Sequence, residues 1–290
     1  MATSQVTQIP SLKGFYTASS QIGSKDKSVE WYVKEFDGTP DETRELLENY
    51  AYIPSNEVDT HVFAIREKAW DIFPWPCIGK FSFLKLSLHK QPSYASILER
   101  LKTGAKYLDL GFCLGQDIRK LVADGAPSQN IYGVELNGLF IDLGYDLFRD
   151  RETLKAQLVQ GSALDFADDS PLGKLAGKMD FIHLGLILHV FGLENQRAVL
   201  GNCLKVLKPG PGTLILGQAV GDVEGVQTPT GEFLHNDVTF KELWNDISER
   251  TGLKFDCRVT LYEGLWITEE GRKSGRSRRL AFEVEILGPK

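Results

Sequence analysis

Hydrophobic and polar residues change their rhythm along this chain near Gly104. Beyond it, short apolar runs at 107–110, 131–134, 157–159, 181–184 and 213–216 predict strands, and stretches with helical spacing at 116–123, 139–148, 171–176 and 194–207 fall between them. Strands that are apolar throughout have no wet side, so strict alternation with helices predicts a parallel sheet covered on both faces. A helix at 241–250, with Leu243, Trp244 and Ile247 on one face, precedes two more strands at 254–260 and 280–287 joined by a polar loop. Before Gly104 lie acidic helical stretches at 41–50 and 62–72 and an aromatic, proline-rich turn at 73–79. Two parts are therefore expected: residues 1–103 as a mostly helical cap over the carboxyl edge of the sheet, where caps shape pockets, and 104–290 as the α/β domain.

The segment Leu108-Asp109-Leu110-Gly111-Phe112-Cys113-Leu114-Gly115-Gln116-Asp117 sets a glycine-rich turn between the first strand and its helix. Glycines there let backbone approach a ligand, and the helix start offers unpaired N–H groups. Glu135 follows Gly115 by 20 residues, at the end of the second strand, where a carboxylate can accept both hydroxyls of a ribose. A dinucleotide fingerprint beginning at Gly111 needs glycine at 113 and 116, where Cys113 and Gln116 stand, so a nicotinamide cofactor is the weaker reading. S-adenosylmethionine fits better, since its amino acid part carries an ammonium that Asp109 could meet and it needs no pyrophosphate cradle. Asp109, Gly111, Cys113, Gly115, Gln116, Glu135 and Leu136 are the expected cofactor contacts. Ser162, Ala163 and Asp165, after the third strand, extend the set to the adenine edge, with Phe166 packing nearby. Each has a plain alternative: Gly111 as a tight turn, Asp109 as a helix cap, Glu135 as a solvated strand end, Asp165 as a turn residue.

Two histidines, His189 after the fourth strand and His235 before the 241–250 helix, stand beyond the carboxyl ends of the strands, where substrates bind in such sheets. They are the candidate catalytic residues, with a satisfied core position as the alternative for His189 and a polar residue at a helix start as the alternative for His235, whereas His183 inside its strand is expected to be packed. The run from Arg272 to Arg279 reads as a solvated loop, with capture of an anionic ligand as the alternative.

Composition narrows the partners. With 290 residues, 42% hydrophobic and 25% charged, the chain can bury one large core. A net charge of −6 and a pI near 5.5 leave no basic field, which excludes nucleic acid as the expected substrate. Cys77, Cys113, Cys203 and Cys257 are scattered without a CxxC pair, which fits a reducing cytoplasm and neither a disulfide scaffold nor a zinc site. No basic run leads into an apolar core at the N-terminus and no run of about 18 apolar residues occurs, so neither secretion nor membrane insertion is expected. The segment before Trp31 lacks a core of its own; covering a neighbour's site in a homodimer is one use for it.

Taken together, Lys68-Ala69-Trp70 with Pro76-Cys77-Ile78-Gly79, the Leu108 to Arg119 turn, Asp142 to Phe148, His189-Val190-Phe191 with Gln196, Gly217 to Gly221, and His235-Asn236 with Phe240 to Trp244 resemble a family of fungal S-adenosylmethionine-dependent methyltransferases of secondary metabolism. The family acts notably on carboxyl groups of polyketide and meroterpenoid intermediates. The likeness runs from about Trp31, and Cys113-Leu114-Gly115-Gln116-Asp117 is its distinctive part. Phe112 stands where a small residue or cysteine is usual, and Gln218-Ala219 where an Arg-Gln pair is. The resemblance implies a class I, Rossmann-like sheet of seven strands, mainly parallel with an antiparallel C-terminal strand, and metal-independent methyl transfer that releases S-adenosylhomocysteine. The acceptor is a small carboxylic acid or phenol. A carboxylate is ionised at neutral pH and would need His189 and His235 only to orient it, whereas a phenol or ring carbon would make one of them a base. A silent nucleoside-binding protein is the reading outside enzymes.

Overall fold

The computed structural model describes residues 22–263 and 273–290. Arg272 and the chain before Ile22, including most of the segment proposed to reach a neighbouring subunit, lie outside them. In chain order the described elements are α1 (Asp41–Asn49), α2 (Val58–Ile72), α3 (Pro76–Gly79), α4 (Tyr94–Lys102), β1 (Tyr107–Leu110), α5 (Gln116–Ala123), β2 (Ile131–Glu135), α6 (Gly138–Phe148), β3 (Gln157–Gln160), β4 (Phe181–Gly185), α7 (Leu193–Val206), β5 (Leu214–Asp222), β6 (Val226–Gln227), β7 (Phe233–Leu234), α8 (Asp237–Thr251), β8 (Leu253–Tyr262) and β9 (Ser277–Pro289).

Seven strands form one sheet in the order β3-β2-β1-β4-β5-β9-β8; β1 to β5 run parallel and β9 lies antiparallel between β5 and β8. This is the expected class I architecture. Side chains alternate across the central strands. Leu108, Leu110, Ile182, Leu184 and Ile215 pack with Val199, Leu200 and Cys203 of α7 and Phe240, Trp244 and Ile247 of α8. Tyr107, Phe181, Leu214 and Leu216 meet Ile97 and Leu101 of α4 and Ile118 and Leu121 of α5. Burying such side chains contributes roughly 1.5–3 kcal/mol each, which is why these strands read as mainly apolar runs, interrupted in β1 by Asp109 and in β4 by His183.

Helix α4 and the short pair β6 and β7 lie outside the elements expected from the sequence, α2 starts at Val58 instead of 62, and three further differences have a local cause. β5 continues to Asp222 instead of ending at Leu216, because β9 backs it as far as the pair Asp222 and Ser277. Helix α8 starts four positions early, at Asp237, where Asn236 and Thr239 cap each other's backbone N–H groups in a capping box. The helix expected at 171–176 shrinks to one 3-10 turn, Gly173–Leu175. There the Ser170 hydroxyl accepts the Gly173 N–H, and a Cβ on Gly173 would stand 2.0 Å from the Ala167 carbonyl oxygen, so the chain is folded back too tightly for a helix.

The cap has no separate core. Leu47, Val62, Ile65, Ala69 and Trp70 pack with Leu114 and with Phe140, Leu143, Leu147 and Phe148 of α6. At its centre the fully buried Arg66 guanidinium lies 4.2, 4.8 and 4.4 Å from the rings of Tyr32, Phe63 and Phe81. Helix α4, although it precedes residue 104, belongs to the sheet layer: just before it, the Ser93 N–H and hydroxyl both donate to Glu283 of β9.

Candidate active site

The turn leaving β1 is built on left-handed backbone. Gly111 and Gly115 sit at φ +75° and +74°. A Cβ on Gly111 would lie 2.6 Å from Cδ1 of Ile187, and one on Gly115 2.5 Å from Nη1 of Arg119, so conformation and space both require glycine. Cys113 also lies at φ +54°, which costs a non-glycine residue roughly 1–2 kcal/mol. Its N–H donates to Oε2 of Glu135 at 2.8 Å, while the Asn137 N–H donates to Oε1 at 3.1 Å. Turn and acid are therefore one unit, and each carboxylate oxygen keeps lone-pair capacity for a ribose hydroxyl. Burial pushes the Glu135 carboxyl up from its ordinary value, and these backbone N–H groups pull it back.

Phe112 turns away from the cleft. A Cβ on Gly133 would stand 2.6 Å from its ring, which fills the gap that glycine leaves in β2. The bulky residue in the donor turn is thus accommodated from below. Gln116, at the start of α5, has a buried Oε1 with no partner among the described residues. A sealed acceptor at this point fits the ammonium of a methionine moiety.

Asp109 does not hold that place. It is 3% exposed; Oδ1 meets Nδ1 of His183 at 3.2 Å and Oδ2 accepts the Tyr107 hydroxyl at 3.3 Å. It lies beneath the turn, with both oxygens engaged, rather than open to the ligand. Strand register explains this, since Asp109 and His183 are direct neighbours on β1 and β4. Nothing local in the sequence links two residues 74 apart; aligning the third positions of the two strands is the signal that finds them.

The Gly161 N–H donates to the Glu135 carbonyl at 2.9 Å, which brings Ser162, Ala163 and Asp165 beside the end of β2. Ser162 Oγ accepts the Leu164 N–H at 3.2 Å, and the Asp165 carboxylate accepts the Ala167 N–H at 3.0 Å, so both shape the loop. Ala163 is buried, and its carbonyl accepts from Asn202. Leu136 is half-buried, with its carbonyl accepting from Gln160 at 3.1 Å.

The two candidate histidines occupy the far side of the edge and differ. His189 lies in a single 3-10 turn, Leu188–Val190, with a sealed Nδ1 that has no partner among the described residues. Burial lowers its pKa to about 4, against the pull of Glu232. Both nitrogens of His235 are taken: Nε2 meets Gln196 Oε1 at 2.9 Å and Nδ1 meets Thr239 Oγ1 at 3.0 Å. Gln196 uses its own N–H groups on the Phe191 and Phe233 carbonyls, so its oxygen must accept and His235 Nε2 must carry the proton. Burial lowers His235 to about 4 as well. This geometry makes His235 a brace between β7, α7 and α8 with no ring nitrogen left for an acceptor, against the expectation that it touches substrate.

In the last loop Arg276 binds Asp222 at 2.8 Å and Glu224 at 2.8 Å, whereas Arg278 and Arg279, read from the sequence as loop, lie in β9. A surface groove of about 410 Å³, lined by His61, Lys68, Tyr145 and Arg149, lies between α2 and the C-terminal part of α6. Among the described residues no cluster suited to a metal ion occurs.

Comparison with known proteins agrees with this layout. Residues 31–84 match the meroterpenoid methyltransferase N-terminal domain, and residues 108–216 match a methyltransferase domain. The chain is 44% identical to the O-methyltransferase atr3 of Stereocaulon alpinum over 269 residues, covering 90% of this chain and 77% of the relative. It is 36% identical to the fungal O-methyltransferase phiE, covering 84% and 86%. Among solved structures, the phosphoethanolamine N-methyltransferase 2 of Haemonchus contortus in complex with S-adenosylhomocysteine aligns with a TM-score of 0.48 at 15% identity, over 86% of this chain and 60% of that one. The chain belongs to the family of S-adenosylmethionine-dependent methyltransferases that carry the meroterpenoid methyltransferase N-terminal domain.

Proposed function

We propose that this enzyme is an O-methyltransferase of secondary metabolism that esterifies the carboxyl group of a small aromatic or meroterpenoid acid. Bound S-adenosylmethionine supplies a methyl group on a sulfonium, open to in-line attack. Gly111, Cys113 and Gly115 give the backbone cradle for its amino acid part, with Gln116 Oε1 receiving the ammonium. Glu135 and Leu136 hold the ribose, and the Ser162, Ala163 and Asp165 loop borders the adenine. His189 offers its sealed nitrogen to the acceptor side, and His235 positions the β7 segment that faces it. Much of the rate comes from alignment and exclusion of water beneath the cap.

One observation carries the choice of acceptor. Both edge histidines are held neutral by burial, with pKa values of about 4. Such a group is a poor base for a phenol of pKa about 10, whereas a carboxyl of pKa about 4 arrives ionised and needs no base. A cytoplasmic location is part of this reading, with the four free cysteines in its support.

Incubation with labelled methyl donor and a panel of aromatic acids, their methyl esters and phenols tests the proposal. Label is expected in base-labile ester products from acids alone. Base-stable ethers, or methylation of esters at an equal rate, would refute it.

A further inference from the structure

Arg119 is fully buried in the first turn of α5, and each of its three nitrogens has a partner. Nε and Nη2 donate to the two oxygens of Asp150 at 2.9 and 3.1 Å, a forked pair that fixes the plane of the guanidinium. Nη1 is left to the donor turn, where it reaches the Leu114 carbonyl at 3.3 Å and the Gly115 carbonyl at 3.5 Å. Helix α6 presses on the same place: a Cβ on Gly144 would stand 2.6 Å from the Leu114 carbonyl oxygen.

Cohesion is a weak reason for this arrangement. An ion pair sealed from water gives back in desolvation much of what it gains in attraction, and apolar side chains of similar volume often serve stability as well. What a rigid fork supplies is direction. A peptide unit is planar and trans, so a carbonyl held down by Arg119 sends the N–H of the same unit the opposite way. In the unit joining Gly115 to Gln116, that N–H is one of the first of α5, has no partner within the helix and points out of its start. Arg119 thereby sets the backbone beside Gln116, whose sealed Oε1 is the acceptor proposed for the donor's ammonium.

The cap enters through one hydroxyl. Tyr50, directly after α1, donates to Oδ2 of Asp150 at 2.8 Å, the same oxygen that Arg119 Nε uses. A single buried carboxylate therefore joins the cap to the donor turn. We infer that Arg119 is a positioning residue for the methyl donor and that Tyr50 of the cap acts through it by way of Asp150, a role that rests on the donor cradle proposed above.

Calorimetry with S-adenosylhomocysteine on full-length protein, well below its unfolding transition, tests this beside urea unfolding of the same variants. Tyr50→Phe is expected to weaken binding about five-fold, the size of one ordinary hydrogen bond. Arg119→Lys keeps a charge on Asp150 but loses the fork that reaches both carbonyls, and is expected to weaken binding about ten-fold. Tyr94→Phe is the control. The Tyr94 hydroxyl donates to Asp124 at the far end of the same helix, so its loss is expected to lower stability as Tyr50→Phe does while leaving affinity within about two-fold. Gln116→Ala reports on the cradle itself and is expected to weaken binding. If Gln116→Ala binds normally, the cradle is misplaced and the role of Arg119 falls with it. If Gln116→Ala weakens binding while either Tyr50→Phe or Arg119→Lys binds like the wild type, the cradle stands and the inference alone is overturned. A loss in Tyr94→Phe equal to that in Tyr50→Phe would overturn it too, because any loosening of α5 would then suffice. Should Arg119→Lys not fold, the comparison of Tyr50→Phe with Tyr94→Phe decides.

Discussion

At the scale of single residues, His235 shows how burial decides between chemistry and structure. The sequence places it in a loop at the working edge of the sheet, yet its two nitrogens are consumed by Gln196 and Thr239. Its pKa falls from the ordinary 6.5 to about 4, as does that of His189. In the unfolded chain both residues take up protons as pH drops below about 6.5, while the folded protein resists until about 4. Stability that is complete above pH 6.5 is therefore lost as pH falls through this window, by up to about 1.4 kcal/mol per pH unit for each histidine. Urea unfolding at pH 7 and at pH 5.5 should show a marked drop for the wild type and a shallower one for His235→Gln, even though that variant is less stable at both. Equal pH slopes would mean that His235 titrates normally in the folded state and that the brace is not closed.

At the scale of elements, the donor turn depends on a clamp that no local motif announces. Asp117, in the first turn of α5, accepts the Ser87 N–H at 2.9 Å, the Ser87 hydroxyl at 2.9 Å and the Leu88 N–H at 3.0 Å. These bonds tie the chain leaving the cap to the helix whose first residue is Gln116. Asp117→Ala strands two backbone N–H groups and should cost about 2–3 kcal/mol in chemical denaturation, with a weaker affinity for S-adenosylmethionine in calorimetry; Asp117→Asn, which keeps an acceptor, should recover part of both. If the alanine variant binds donor normally, the clamp supports the cap alone. The contrast marks what a sequence exposes. Gly111, Gly115 and Glu135 are legible because a turn, a helix start and a strand end lie within 25 residues and their types follow from local backbone needs. The parallel sheet is legible for a similar reason, since buried strands must be apolar throughout. Asp109 with His183, Asp117 with Ser87, and the saturation of His235 are set by register and packing between distant segments, where several partners would have fitted equally well. The extra length of β5 belongs to the same class, being imposed by β9 rather than by its own residues.

At the scale of the whole molecule, the cap and the donor-binding domain share one hydrophobic cluster, so the boundary expected at residue 103 is a change of role more than a seam. Trp70 and Ile65 of α2 pack in the same cluster as Phe140 and Leu147 of α6, and α6 begins at the end of β2, directly after Asn137, beside the proposed ribose contact Glu135. A lid that opened as a rigid body would have to expose these side chains, at roughly 1.5–3 kcal/mol apiece. Substrate entry is therefore expected to use smaller motions than cap undocking, and the two parts should unfold together. A variant carrying Trp244→Phe and Trp266→Phe retains Trp31, Trp70 and Trp75, all in the N-terminal part, as fluorescent reporters, while far-ultraviolet circular dichroism follows the helices and sheet of the whole chain. Coincident denaturation curves from the two probes are the expected outcome. A fluorescence transition at lower denaturant would mean that the cap detaches first, in which case the acceptor cleft closes by docking of the cap and the shared cluster is weaker than its burial implies.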